Sequence, residues 1–487
     1  MSLRRSGLLI RILPPLAFLL CSALSSFAQS DQSQSPPPST PGEAIPGTTG
    51  VSPYGGSVPV KPVPGVLSIS LQDAIDRGLR QNLGALLSNA DIQTARGQRW
   101  AELSALLPHV TASPFIDESQ INLAELGFTF KFPGFTLPAS VGPFSYFDAR
   151  FGVTQSLFNW QSINNARGAR QSLISAEYVY RDARDLVVLA VGYTYLQGIA
   201  DLARVETAQA QVDTAQALSD QASDQVTAGT SPEIDAMRAK VELQTRQQQL
   251  IQAKNNYAIQ KLTIGRVIGL PPGQDFEMTD KSPYQPFPGI SLDDALKRAY
   301  ASRSDYRAAV ADTRSAEYAR KAAIAGYLPS LSFDADYGTG GAHPSTSTEV
   351  FDIKGTLTIP IFEGGSVHAD VLQADARLRQ SRERQENLRA QVDTDVRTAL
   401  FNLQSSADQV AVARSNIALA NETLAQSRDR FTAGVTDSVE VVQSQELVAS
   451  ANEQFISSLY NFNFAKISLA RAMGLAEEGV KEFFKGK

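Results

Sequence analysis

The chain has 487 residues, with 44 basic and 50 acidic side chains and a formal charge of −6. An acidic balance excludes nucleic acid as a partner, because phosphate binding needs a basic surface. A single cysteine, Cys21, excludes a disulfide framework, so an exported form must be held by packing or by assembly.

The first predicted element is a leader. Arg4, Arg5 and Arg11 precede an apolar run from Ile12 to Leu24, and Ser26-Phe27-Ala28 has the small-x-small form of a cleavage site. Residues 1–28 are expected to be a secretory signal peptide, with a core too short to span a bilayer. Cys21 offers a lipoprotein alternative, but Leu20 stands where a small residue is needed before a lipidated cysteine. Without the leader, 41 basic residues face 50 acidic ones. No later run of about 18 apolar residues predicts a transmembrane helix, so entry into a membrane is expected only as a β-barrel. Residues 29–66 are rich in Pro, Gly, Ser and Gln and are expected to be an extended, disordered tether.

From there the chain repeats itself. Leu71-Gln72-Asp73-Ala74-Ile75 returns as Leu292-Asp293-Asp294-Ala295-Leu296, and Leu107-Pro108 as Leu328-Pro329. Thr227-Ala228-Gly229 returns as Thr432-Ala433-Gly434. Lys261-Leu262-x-x-x-Arg266-x-x-Gly269-Leu270 returns as Lys466-Ile467-x-x-x-Arg471-x-x-Gly474-Leu475. So long a period marks a duplicated domain half rather than a solenoid. The first structural repeat is expected over 67–288, the second over 289–476, and a C-terminal tail over 477–487.

Each repeat opens on a helix, roughly 70–106 and 291–327. Strands follow. Phe147, Ala149, Phe151, Val153 and Leu157 alternate with Asp148, Arg150, Thr154 and Ser156, while Phe351, Ile353 and Leu357 alternate with Asp352, Lys354, Thr356 and Thr358. Leu331, Phe333, Ala335 and Tyr337 alternate with Ser332, Asp334 and Asp336. Alternation of this kind fits an ordinary amphipathic sheet. With a signal peptide, no disulfides and the helices described next, it fits a membrane barrel with a wet lumen. Asp148, Arg150, Asp352 and Lys354 are then lumen-facing. Pro360 is expected at a strand end, and the loop carrying Phe128, Phe130, Phe132 and Phe135 at the cell surface.

Gln161–Thr227 and Ser366–Thr432 hold no proline and are rich in strong helix formers. Each is expected to form a helix of about 100 Å. Val410, Ile417, Leu424 and Phe431 recur every seven residues beside Ala413, Ala420 and Ser427, and Val205, Val212, Ser219 and Val226 beside Ala208, Ala215 and Ala222. A large row next to a small row predicts close coiled-coil packing. Glycine turns at Gly229 and Gly434 suit the left-handed position after a helix, with Ser231 as the expected N-cap of a returning helix and Pro232 at its first position. The fold class is thus a mixed α/β membrane protein, a duplicated half with long coiled-coil hairpins and four amphipathic strands. Four strands cannot close a barrel, and only a twelve-stranded trimer, not an eight-stranded dimer, leaves an aqueous channel.

In this order of elements, in its Arg430-Phe431-x-x-Gly434 turn and in its Arg471-x-x-Gly474-Leu475 terminus, the chain resembles the TolC-like outer-membrane efflux family over residues 68–476. The resemblance implies a homotrimer with a twelve-stranded β-barrel in the outer membrane and a helical α-barrel across the periplasm. It implies a passive exit duct of a tripartite efflux or type I secretion system, docked on a periplasmic adaptor and an inner-membrane pump. The docking tip is then Ala228, Gly229 and Thr230 with Ala433, Gly434 and Val435. Candidates for the pore entrance are Asp235, Phe431, Glu440 and Gln443. Glu440 and Asp235 also fit as acids stabilising a helix N-terminus, and Phe431 fits as a member of the heptad row. Phe431 replaces a tyrosine, and Thr436 an arginine, found in some members, so a hydrogen-bonded lock through them is in doubt. A periplasmic coiled-coil adaptor or scaffold is the alternative, and it is disfavoured by two hairpins with paired strands. His109, His343 and His368 lack metal-ligand spacing, and no serine or aspartate pairs with them in a catalytic pattern. No enzyme, cofactor or metal is expected.

Overall fold

The structure is a computed structural model that describes residues 53–483, except 124, 126, 128–130, 133–134, 137, 281–285, 288 and 437. The predicted leader, most of the tether, Phe128 and Phe130 lie outside the described residues. The first repeat runs β1 (Leu67–Ile69), α1 (Leu71–Gln81), α2 (Leu83–Ser104), β2 (His109–Asn122), β3 (Lys131–Phe132), β4 (Phe135–Thr136), β5 (Ser140–Phe158), α3 (Trp160–Thr227), α4 (Glu233–Val267) and β6 (Phe276–Met278). The second runs α5 (Leu292–Ser302), α6 (Ser304–Ile324), β7 (Ser330–Gly341), β8 (Thr348–Thr358), α7 (Ser366–Thr432), α8 (Ser438–Ala472) and α9 (Ala476–Phe483).

The single opening helix expected in each repeat is two. Both begin on a serine cap, Ser70 accepting from the Asp73 N–H and Ser291 from the Asp294 N–H. Both break after eleven residues, at Asn82 and at Arg303, whose ψ angles of 131° and 118° leave the helical region. Asn82 fills the break with its side chain, accepting from the Gly84 N–H and donating to the Tyr54 carbonyl. Arg303 fills it with an ion-paired guanidinium. Nothing in either local sequence announces the break, because it serves a tertiary contact: a Cβ on Gly269 would meet Gln81, and one on Gly474 would lie 2.6 Å from the Arg303 backbone.

The long helices are α3, 68 residues, and α7, 67 residues, each about 100 Å long. The returning helices α4 and α8 have 35 residues apiece. The small heptad rows are largely interior, with Ala208, Ala215, Ala222, Ala413 and Ser427 buried and Ala420 half-buried. Each turn closes with the 6→1 and 5→2 bonds of a Schellman motif. Thr230 and Gly229 donate to the carbonyls of Gln225 and Val226, and Val435 and Gly434 to those of Arg430 and Phe431. Gly229 and Gly434 supply φ angles of +73° and +72°. Pro232, not Ser231, caps α4, and the Ser231 hydroxyl instead donates to Gln225 of the preceding helix.

One window within α3 does reach a mean hydropathy of 1.5, long enough to cross a bilayer by composition. It is largely buried in the protein, where Val187, Val188, Val191 and Tyr195 pack on Ile69, Ile75, Ile264, Phe276 and Ile467. This is the core of a waist, to which β1 and β6 add a parallel two-stranded ladder. A second waist core joins Val392 and Val396 of α7 to Phe462 and Leu469 of α8. Helix contacts run in the order α4, α3, α8, α7, leaving α4 and α7 on the flanks.

The sheet is four antiparallel strands in the order β2-β5-β7-β8. The first pair is longer, 14 and 19 residues against 12 and 11, so the extra length of the first repeat enters the strands and their connection. β8 ends at Thr358, two residues before Pro360.

Candidate functional site

The register sorts the sheet into two faces. Val110, Val153, Ala335 and Ile353 form one apolar rung, and Ala112, Phe151, Tyr337 and Phe351 the next. These side chains have no cover, Phe351 being 73% and Phe151 66% exposed. The opposite face carries polar rungs: Thr111, Gly152, Asp336 and Asp352, then His109, Thr154, Asp334 and Lys354. Asp148, Arg150, Asp352 and Lys354 all lie on this face, but the two acid–base pairs behave differently. Arg150 bonds Asp148 at 2.8 Å and Asp336 at 2.9 Å, and the Tyr146 hydroxyl donates to Asp148 at 2.9 Å. Asp352 and Lys354 form no ion pair with each other or with any described residue. At the helical end of the sheet a belt of exposed side chains begins, with Trp100, Tyr327, Ile361 and Phe362 uncovered and Phe158 edge-on to Trp160 at 5.5 Å.

At the far end of the hairpins the six turn residues Ala228, Gly229, Thr230, Ala433, Gly434 and Val435 are exposed. The four entrance candidates separate. Phe431 is 6% exposed and packs with Leu218, Ala222, Ala239 and Val441, so it fills the heptad row and bridges the two hairpins. Asp235 is 7% exposed, accepts from the Ser438 hydroxyl at 2.8 Å and lies 3.5 Å from Arg238. Both therefore face the other hairpin of their own chain, because the chain folds its two hairpins against each other on that side. Glu440 is half-buried, accepts from Thr436 and Ser427, and meets Arg430 at 3.5 Å. Gln443 is exposed.

Two ties between the hairpins were not anticipated. Arg246, only 3% exposed, bonds Glu242 and Gln249 on α4 and reaches Glu446 on α8 at 2.6 Å. Arg204 joins Asp201 to Glu453. The signal for the first was present: Arg246 stands seven residues after buried Ala239, in a core position of the heptad where an arginine needs a partner. Among the described residues no group of His, Cys, Asp and Glu could hold a metal ion.

Comparison with known proteins places this geometry. The family model described as "Outer membrane efflux protein" matches residues 79–270 and 295–475, one match per repeat. The pyoverdine export outer membrane protein OpmQ of Pseudomonas putida is 23% identical over 341 residues, covering 67% of this chain and 70% of that protein. Among solved structures, the CmeC outer membrane channel of Campylobacter jejuni superimposes with a TM-score of 0.73 at 17% identity, covering 85% of this chain and 88% of its own. The open-state MtrE outer membrane channel of Neisseria gonorrhoeae gives 0.70 at 18% identity, covering 84% and 90%. The outer membrane protein VceC of Vibrio cholerae gives 0.71 at 15%, covering 83% and 96%.

Proposed function

Because the chain belongs to the outer membrane efflux protein family and is an exit duct of the outer membrane, we propose that it works as a homotrimer. Three four-stranded sheets then close one twelve-stranded barrel, and three pairs of hairpins close a tunnel beneath it. The observation that carries this reading is the pair of open sheet edges. β2 and β8 are each paired on one side only. Unpaired backbone N–H and C=O groups are not tolerated in hydrocarbon. All neighbours in the sheet are antiparallel, so β8 of one copy meets β2 of the next in the same sense. The apolar face then turns to lipid and the polar face to an aqueous lumen. The belt at Trp100, Trp160, Tyr327 and Phe362 sits at the inner interface, where aromatic side chains collect.

The flanking helices support the same assembly. On α4, Ile234, Val241 and Leu262 are exposed in one heptad row and Met237 and Ile251 in its companion, an apolar seam interrupted by Gln244, Gln248 and Asn255. On α7, Val412 and Leu419 are exposed seven residues apart, beside a groove of about 1020 Å³ that also includes Phe401 and Leu447. The seam of one copy fits the groove of the next.

In this reading residues 1–28 direct export and 29–66 tether the channel. The six exposed turn residues of the tip dock a periplasmic adaptor, which couples the duct to an inner-membrane pump that supplies the energy. Glu440 and Gln443 border the entrance, while Asp235 and Phe431 hold the hairpins together behind it. Fractionation, extraction in mild detergent and particle mass test the assembly. An outer-membrane particle of three chains, each 52.5 kDa before leader removal, is expected. A water-soluble monomer or dimer overturns it.

A further inference from the structure

The polar face of the sheet carries a charge imbalance that pairing does not remove. Asp117, Asp148, Asp334, Asp336 and Asp352 stand there against Arg150 and Lys354. Arg150 is committed to Asp148 and Asp336. Glycines 152, 338 and 340 occupy the register positions around this knot, so its side chains lie flat on the sheet and Asp148 is only 3% exposed. Lys354 stands opposite Asp334. Asp352 is left over. It faces Asp336 directly across the ladder, an arrangement of like charges that sheets avoid.

The edge position of β8 makes this decisive. The one further neighbour that a closed barrel supplies to Asp352 is β2 of the next copy. The polar-face positions of β2 are His109, Thr111, Ser113, Phe115 and Asp117, with no lysine or arginine and one more acid. Closing the ring does not neutralise Asp352.

We infer that the barrel wall itself selects by charge, with Asp352 of each copy favouring cationic and neutral cargo over anions at mid-strand. The effect is a through-space potential in a water-filled pore with a low-dielectric wall, not a bound ion. It acts beyond the periplasmic tip and is independent of Glu440. The inference rests on the barrel reading, in which this face lines the lumen.

A thiol probe separates the two. The chain has no cysteine other than Cys21, so one introduced thiol is read alone. Val350→Cys places it on the polar face two residues from Asp352, about 7 Å along the strand. Phe351→Cys places it on the apolar face. Cationic and anionic methanethiosulfonates are added from the outer side to the protein in proteoliposomes, after removal of the expected leader and with it Cys21. Val350→Cys is expected to react faster with the cationic reagent. Asp352→Asn in the same chain is expected to lower the cation-to-anion rate ratio about three- to tenfold at moderate salt. Phe351→Cys is expected to be unreactive with both. If Val350→Cys reacts and Asp352→Asn leaves the ratio unchanged, the charge inference fails while the barrel stands. If Phe351→Cys reacts and Val350→Cys does not, the barrel reading fails first.

Discussion

The returning helix ends in the same way in both repeats, yet its arginine is exposed in one and buried in the other. Leu270 donates to the Gly265 carbonyl and Leu475 to the Ala470 carbonyl, both at 2.8 Å, with Gly269 and Gly474 at φ +76° and +71°. The backbone is a copy. Arg266, however, is exposed, whereas Arg471 is 9% exposed, bonds Asp182 at 2.5 Å and lies 3.9 Å from Asp305. Lys261 bridges to Asp275 at the surface, while its counterpart Lys466 is buried with its amine 4.5 Å from the Phe462 ring centroid. The cause is position. α4 lies on a flank, and α8 lies between α3 and α7 with α9 packed across its end. The charged side of the same helix end is therefore solvated in the first repeat and enclosed in the second, while Ile264, Val267 and Ile268 stay buried in the core. What the repeats share is what the backbone demands, and what differs is which charges the surroundings can pair.

The shared part breaks hardest. Gly474→Ala puts a Cβ in a left-handed conformation and 2.6 Å from the backbone of Arg303, which cannot move aside without opening the α5–α6 joint. The expected loss is about 3–5 kcal/mol, read as loss of assembled protein and a lower unfolding midpoint. Recovery of normal assembly from this variant would mean that the joint is loose. The unshared part should break on one side only. Arg471→Met leaves Asp182 enclosed without its guanidinium, while Asp305 keeps Arg303, and is expected to cost about 3 kcal/mol. Arg266→Met is expected to stay within about 0.5 kcal/mol. Equal midpoints for the two variants would show that burial does not set the difference.

The enclosed cluster should also respond to pH. Burial pushes Asp185 up to about 6, although Arg471 opposes the shift, and burial raises Asp182 as well. Burial acts on Asp305 in the same direction, but the Arg303 guanidinium overcomes it and holds that carboxyl below its usual value. A raised carboxyl binds its proton more tightly in the folded state. Its ionised form is a cost above pH ~6, and the cost is relieved as pH falls toward ~4. The depressed Asp305 contributes the opposite trend, only below its usual value. Asp185→Asn is therefore expected to raise stability at pH 7.5 by about 1–3 kcal/mol and to flatten the dependence between pH ~6 and ~4. Chemical denaturation across that range reads it, and an unchanged slope would remove Asp185 from the account.

Much of this was legible from periodicity. The heptads marked Ala208, Ala215, Ala222 and Phe431 as interior, and the alternation of Phe351 and Asp352 gave the two faces of the sheet. Glycine at 229 and 434 gave the turns, because few residues accept that backbone. Three features were not legible. The breaks at Asn82 and Arg303 arise from a contact with residues about 190 and 170 positions away, which no local pattern carries. The apolar window of α3 is spread around the helix because several elements cover it, and it passes for a membrane span until its burial is known. The side of the hairpin on which Asp235 lies depends on how two hairpins of one chain meet, so a first-turn acid and an entrance acid share one sequence signature.

A small effect is expected at the tip, where the two repeats should agree. Gly229 and Gly434 adopt φ of +73° and +72°, and a Cβ on either would meet nothing within 4 Å. With no neighbour to displace, alanine pays only for the left-handed backbone, about 1 kcal/mol. Gly229→Ala and Gly434→Ala should therefore lower the unfolding midpoint of the isolated channel by similar small amounts, in contrast to Gly474→Ala with its nearly equal φ of +71°. That contrast isolates close approach from conformational strain, since only the former differs between the sites. Agreement between the tip variants would mean that both turns are free of contacts in the channel alone, as the proposed docking of an adaptor requires. A markedly larger loss in one would place that turn against a neighbouring copy and leave only the other for the proposed docking.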